Sequence, residues 1–106
     1  SIDAIATCVA EVAGLSQNFA LHGKSEAGLD LLEVRVESLE PLTEAGKQEL
    51  AQQLVDTILK EKPVIASNLA SGIIARPMVT VLTPGELPRN PRTGKIKRVI
   101  EERHVG

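Results

Sequence analysis

Leu32-Glu33-Val34-Arg35-Val36-Glu37, followed beyond Pro41 by Thr43-Glu44 and the apolar pairs Leu50-Ala51, Leu54-Val55 and Ile58-Leu59, decides the fold class of this 106-residue chain. In the first six residues apolar and charged side chains alternate, so one face is apolar and the other charged, the pattern of a half-buried antiparallel strand. On that reading Glu33 and Glu37 lie on the solvent face and need no function. Pro41 breaks the strand, and Thr43 followed by Glu44 is a helix-start signal. The apolar pairs then recur at helical spacing, opposed by Lys47, Gln48, Gln52, Asp56 and Lys60, which predicts an amphipathic helix of about five turns ending at Pro63. A strand period passing into a helix period within one short stretch points to an α+β layer.

The flanking sequence extends this pattern in both directions. Toward the N-terminus, Ile2, Ile5, Cys8 or Val9 and Val12 recur at helical spacing, with Asp3 at the start, and Gly14 stops the segment. Asn18-Phe19-Ala20-Leu21-His22 alternates as a strand, and the turn-rich Gly23 to Gly28 joins it to 32–37 as a hairpin. Toward the C-terminus, Val64 to Gly72 has no decisive pattern. Ile73 to Leu82 is a β-branched run that Pro77 confines to an edge or bulged position. Thr83 to Gly94 is a loop with prolines at 84, 88 and 91, and Lys95 to Glu102 fits either a strand or a helix. The expected fold is therefore a small two-layer, ferredoxin-like α+β domain, residues 1–106, with two helices on a mainly antiparallel sheet. A strand preceding Ser1 would complete a β-α-β-β-α-β order.

Composition narrows the function. The chain is 42% hydrophobic and 25% charged, as a folded globular domain is, which disfavours disorder. No apolar run approaches the roughly 20 residues of a membrane span, and the first residues lack the basic start of a signal peptide, so a cytoplasmic protein without a membrane partner is expected. Phe19 is the only aromatic residue, which argues against modules that stack bases on several rings, and no nucleic-acid partner is expected. A single cysteine, Cys8, and two distant histidines, His22 and His104, support neither a disulfide framework nor a metal site nor a catalytic triad. Cys8 and Phe19 read as core residues, and the histidines as structural. The chain begins at Ser1 and its only methionine is Met78, which reads as a processed chain or a piece of a longer one.

Charge is unevenly distributed. Residues 1–88 carry 6 basic and 12 acidic side chains, net −6, whereas residues 89–106 carry 6 basic and 2 acidic, net +4. The basic part overlaps Gly85-Glu86-Leu87-Pro88-Arg89-Asn90-Pro91-Arg92-Thr93-Gly94-Lys95-Ile96-Lys97-Arg98. There the prolines reduce the entropy of holding one shape, and Gly94 permits a tight turn immediately before a lysine. A cation preorganised in this way suits a phosphate or carboxylate. A Walker A loop is excluded, since Gly85 is too far from Gly94 and Ile96 stands where a magnesium-binding hydroxyl is required.

From Leu87-Pro88 through Thr93-Gly94-Lys95 to Arg98, this string resembles the C-terminal signature of acyl-adenylate-forming enzymes, with a spacing about one residue longer than the commonest form. The element order, with Gly14-Leu15-Ser16 after the first helix, is similar over essentially the whole chain to the C-terminal domain of phenylacetate-CoA ligase and its aryl-CoA ligase relatives. The resemblance implies a lid domain in a two-step ligation. A carboxylate and ATP, with magnesium, give an acyl-adenylate, and coenzyme A then displaces AMP to give a thioester. It also implies that Lys95 is the catalytic, electrostatic lysine of adenylation, with Arg92, Thr93, Gly94 and Arg98 around the nucleotide phosphate, and no metal held by this domain. The partner would be a large N-terminal adenylation domain that holds the carboxylic-acid substrate, so this chain alone should be inactive and should bind no cofactor by itself. Arg89, Arg92, Lys97, Arg98 and Arg103 would otherwise form a solvated or docking face. The alternatives are a noncatalytic regulatory or assembly domain, a homo-oligomer through an open sheet edge among them, and a nucleic-acid module using the basic tail.

Overall fold

The computed structural model describes residues 2–72 and 74–102. The elements are α1 (Ile2–Glu11), β1 (Leu15–Glu26), β2 (Leu29–Ser38), α2 (Glu44–Glu61), α3 (Pro63–Ala70), β3 (Met78–Leu82) and β4 (Val99–Glu101). Arg103 and His104, noted in the sequence, lie outside the described residues.

β1 and β2 form a long antiparallel hairpin whose register runs from Leu15 opposite Ser38 to Glu26 opposite Leu29, with a shift between Leu15 and Phe19. Its two-residue turn holds Ala27 at φ 52° and Gly28 at φ 80°. Positive φ at both turn positions matches the right-handed twist of the flanking strands, so the hairpin reaches well beyond the 18–22 segment legible from alternation alone.

The four strands lie in the order β3-β2-β1-β4, with β2/β3 and β1/β4 parallel. The expected mainly antiparallel sheet is therefore corrected to a mixed one, in which only the hairpin pairs antiparallel. The cause is the connections. A helical crossover returns the chain to the end of the sheet where it started, so β3 enters beside β2 in the same direction. β3 ends opposite Glu37, at the end of the sheet where β1 begins, and the loop 83–98 brings the chain to β1 from that same end, so β4 runs parallel to β1. β3 is an edge strand, one of the two positions that Pro77, immediately before it, predicts.

The expected two helices are three. Pro63 ends α2, as read from sequence, but it also opens α3 as a first-turn proline, where its missing N–H has no intrahelical acceptor to lose. α2 starts as expected, the Thr43 hydroxyl accepting from the Gly46 N–H at 3.1 Å.

α1 and α2 cover one face of the sheet. Ile5, Cys8, Val9 and Val12 of the first helical segment meet Leu54 and Ile58 of α2 over Phe19, Val34, Val36 and Val81. Cys8 and Phe19 are fully buried, and burial pushes the Cys8 thiol up. With one aromatic ring available, the core is closed by aliphatic interdigitation, which makes each branched side chain count. No helix among the described residues is long and apolar enough to cross a membrane.

Ile58→Ala, at a fully buried position, is expected to lower unfolding free energy by about 2 to 5 kcal/mol, and Thr43→Ala by about 1 kcal/mol. Urea unfolding monitored by helical circular dichroism measures both.

Candidate functional site

The face of the sheet opposite the helices carries Glu33, Arg35 and Glu37, and it is not the solvent face that alternation predicts. Glu33 and Glu37 are 6% and 2% exposed. The irregular chain after β3 closes over Glu37, while Lys24, Arg35 and Thr80 of the strands enclose Glu33.

That chain turns first at Thr83–Glu86, where the Glu86 N–H donates to the Thr83 carbonyl at 3.1 Å and the Thr83 N–H donates to the Glu86 carboxylate at 3.0 Å. Leu87 then inserts, 3% exposed, and its N–H donates to Glu37 Oε2 at 2.8 Å. Arg89 closes over the same carboxylate as a fork, Nη1 to Oε2 and Nη2 to Oε1, each at 3.0 Å. Asn18 of β1 adds a contact from Nδ2 to Oε1 at 3.4 Å. Burial pushes the Glu37 carboxyl up. The hydrogen bonds from Arg89 and from the Gly85 and Leu87 backbone, with the Arg89 charge, outweigh it and hold the carboxyl lowered to about 2.

From Arg89 a small hairpin projects. Arg89 and Ile96 form an antiparallel bridge, and the Asn90 N–H donates to the Lys95 carbonyl at 2.8 Å. Asn90 Oδ1 accepts from the Arg92 and Thr93 N–H groups at 2.8 and 3.1 Å, an Asx turn that holds the tip without help from a partner. The Gly94 N–H returns to the Asn90 carbonyl at 2.7 Å with Gly94 at φ 71°, a left-handed conformation that favours glycine. The Lys95 N–H donates to Thr93 Oγ1 at 3.3 Å, and the Lys95 side chain is exposed.

Beside this hairpin lies a shallow cavity of about 330 Å³ lined by Asn18, Arg89, Gly94, Lys95, Ile96 and Arg98. Of the residues singled out in the sequence, Gly94, Lys95 and Arg98 line it. Arg92 and Thr93 do not; they are exposed at the tip and serve the turn through their backbone and the Thr93 hydroxyl. Arg98 packs its guanidinium 4.8 Å from the Phe19 ring centroid and donates to the Gln17 carbonyl at 3.0 Å. Asn18, Arg89 and Glu37 are the residues sequence reasoning missed as members of this site. Arg89 stood in the basic string, but nothing local pairs it with a glutamate 52 positions earlier.

A second polar cluster occupies the other part of the same face, beside a cavity of about 570 Å³. Buried His22 meets Glu102 at 2.6 Å, and Glu33 is held by Lys24 at 2.8 Å, Arg35 at 3.0 Å and Thr80 Oγ1 at 3.1 Å. Burial raises Glu33, but the hydrogen bonds from Lys24 and Arg35, the Arg35 charge and the Thr80 hydroxyl lower it further, to about 2. The His22 hydrogen bond lowers the Glu102 carboxyl. Every described buried side-chain nitrogen and oxygen has a partner, so this cluster holds β1, β2, β3 and the end of β4 together.

A family model described as the AMP-binding enzyme C-terminal domain matches residues 3–103. The fold is similar to the crystal structure of a domain of phenylacetate-coenzyme A ligase from Bacteroides vulgatus ATCC 8482, with TM-score 0.66 and 19% identity over 96% of this chain and 83% of that one. At that identity the likeness is one of fold. The structure of a 2-hydroxyisobutyryl-CoA ligase in complex with 2-HIB-AMP and CoA in the thioesterification state matches with TM-score 0.49 and 21% identity, over 94% of this chain and 19% of that one. No curated protein matches the sequence.

Because Glu33 and Glu37 are depressed to about 2 from an ordinary 4.5, the stability they contribute is complete above about pH 5 and is lost as pH falls toward 2. For Glu37 the linked contribution is on the order of 3 kcal/mol. Denaturant unfolding at successive pH values is expected to show a steep loss between pH 5 and 2, and Glu37→Gln is expected to flatten that slope while lowering stability at neutral pH.

Proposed function

The chain belongs to the AMP-binding enzyme C-terminal domain family, and from that premise we propose that it is the lid of an ATP-dependent aryl- or acyl-CoA ligase. In this reading it works against a large N-terminal adenylation domain that holds the carboxylic acid and the adenine. The observation that carries the proposal is the division of labour among the three cations lining the small cavity. Arg89 is committed to Glu37 and Arg98 to Phe19 and Gln17. The Lys95 ammonium makes no ion pair or hydrogen bond among the described residues, yet it stands on a backbone closed by four local hydrogen bonds, from the Asn90, Arg92, Thr93 and Gly94 N–H groups.

A cation free at its tip and fixed at its root suits a reaction in which negative charge gathers at a point outside the domain. In the first step a carboxylate oxygen attacks the α-phosphorus of ATP and pyrophosphate leaves with the electrons of the broken P–O bond. Lys95 reaches the carboxylate and phosphate oxygens and neutralises the charge that grows on them. The gain comes from preorganisation, because the lysine's backbone is already ordered before substrate arrives. In the second step the thiol of coenzyme A loses its proton and attacks the acyl carbonyl, and AMP leaves. Lys95 has no part in that step, and a rotated lid presents another face to it. Arg98 supports the site by fixing the start of β4, and Gly94 by allowing the turn that aims the lysine. Magnesium fits poorly here, since the cavity is lined by cationic and amide groups and no cluster of three His, Cys, Asp or Glu able to hold a metal occurs among the described residues. No step is routed through it.

In the enzyme that carries this domain, Lys95→Ala is expected to slow acyl-adenylate formation by about 10²- to 10³-fold, and to leave thioester formation from supplied acyl-adenylate largely intact. Rapid-quench assays of the two half-reactions measure this separately, and equal loss in both would refute the role.

A further inference from the structure

The hydrogen bonds inside the Arg89–Ile96 hairpin join Asn90 to its immediate neighbours. They set the hairpin's shape, but they cannot set its place relative to the sheet. Placement comes from contacts that leave the loop. Arg98 anchors the exit through Gln17 and Phe19. The entry is anchored by Leu87 N–H and the Arg89 fork, and both end on the one Glu37 carboxylate. Arg89 is also the residue that bridges to Ile96, next to Lys95. The other side-chain donor to Glu37, Asn18, lines the Lys95 cavity together with Arg89. The buried carboxylate thus ties together two of the residues that border the lysine.

We propose that Glu37 and Arg89 are positioning residues for Lys95: the buried carboxylate locks the guanidinium, and the guanidinium sets the hairpin on which the ammonium stands. The proposal rests on the adenylation role of Lys95 given above. Arg89 touches no substrate in this scheme; its fork is consumed by Glu37, and its effect reaches the reaction only through the lysine. The geometry requires a fork. A lysine at position 89 would keep the charge but could not span both carboxylate oxygens, so the hairpin root would lose its fixed angle while remaining paired.

Arg89→Lys in the enzyme that carries this domain is the test, because the Arg89 side chain is 31% exposed and its replacement opens no core cavity. Adenylation at saturating substrate is expected to slow by about ten- to a hundredfold, as a small misplacement of a catalytic group does. The KM values for carboxylate and ATP, and the rate of thioester formation from supplied acyl-adenylate, are expected to stay within about twofold. A Lys95→Ala/Arg89→Lys double variant is expected to be no slower than Lys95→Ala alone, since the positioning has nothing left to position. Should Arg89→Lys fold poorly by thermal melting, Glu37→Asp, which retains the charge but withdraws it by one methylene, is judged by the same readouts. Equal slowing of both half-reactions, an unchanged adenylation rate, or multiplicative losses in the double variant would each overturn the proposal. The two readings separate cleanly. Lys95→Ala with a normal adenylation rate removes the lysine assignment and this proposal with it, whereas an inactive Lys95→Ala beside a normal Arg89→Lys removes only the positioning.

Discussion

At the end of β2 a carboxylate that belongs in water is held almost wholly away from it. Glu37 is 2% exposed, and its two oxygens are met by a backbone N–H, a guanidinium fork and a side-chain amide. A buried charge is tolerated only when partners replace its hydration, and a pair left half-broken is far worse than one never made. The backbone N–H and the guanidinium fork come from a loop about 50 residues further along the chain, and the amide from Asn18 on β1. The sheet therefore supplies an anion that needs that loop, and the loop acquires a definite position because the anion admits few ways of being satisfied.

The two faces of the sheet are built on different physics. Toward α1 and α2, branched aliphatic side chains pack around one ring, and the driving force is non-directional burial. Toward the loop, ion pairs and charge-assisted hydrogen bonds centred on Glu33 and Glu37 dominate, and they are directional. Phe19 joins the two. Its side chain belongs to the aliphatic core, while Arg98, at the start of the segment that becomes β4, rests over the ring. Packing in the core thereby reaches the exit of the hairpin, as the Glu37 pair reaches its entry. Lys95 lies between two anchors of different chemical character, with its own side chain left to face outward.

Some of this was legible residue by residue. The helix after Thr43 announces itself by its cap and its apolar stripe, because both depend on neighbours within four positions. Gly94 announces a tight turn for the same reason. Pro77 correctly confines β3 to an edge. Pro63 was only half legible: a proline ends one helix and can open another, and Val64 to Ala70 has too little polarity contrast to say which. The hairpin fixed the relative direction of β1 and β2, but the directions of β3 and β4 were not legible. They depend on which end of the sheet each connection brings the chain to, and alternation within a strand is the same in either direction.

The failure at Glu33 and Glu37 is the most instructive. Alternation in 32–37 correctly separates the residues into two faces, since that follows from the backbone's own period of two. It cannot say what lies against each face. From local spacing alone the chain determined the start of α2, its hairpin, its aliphatic core stripe and the tight turn before Lys95. Only the tertiary structure decided that the charged face is covered, that Arg89 closes on Glu37, and that Lys95 alone of the three cations lining the cavity is left unengaged among the described residues, because those outcomes depend on contacts between residues some 50 to 80 positions apart.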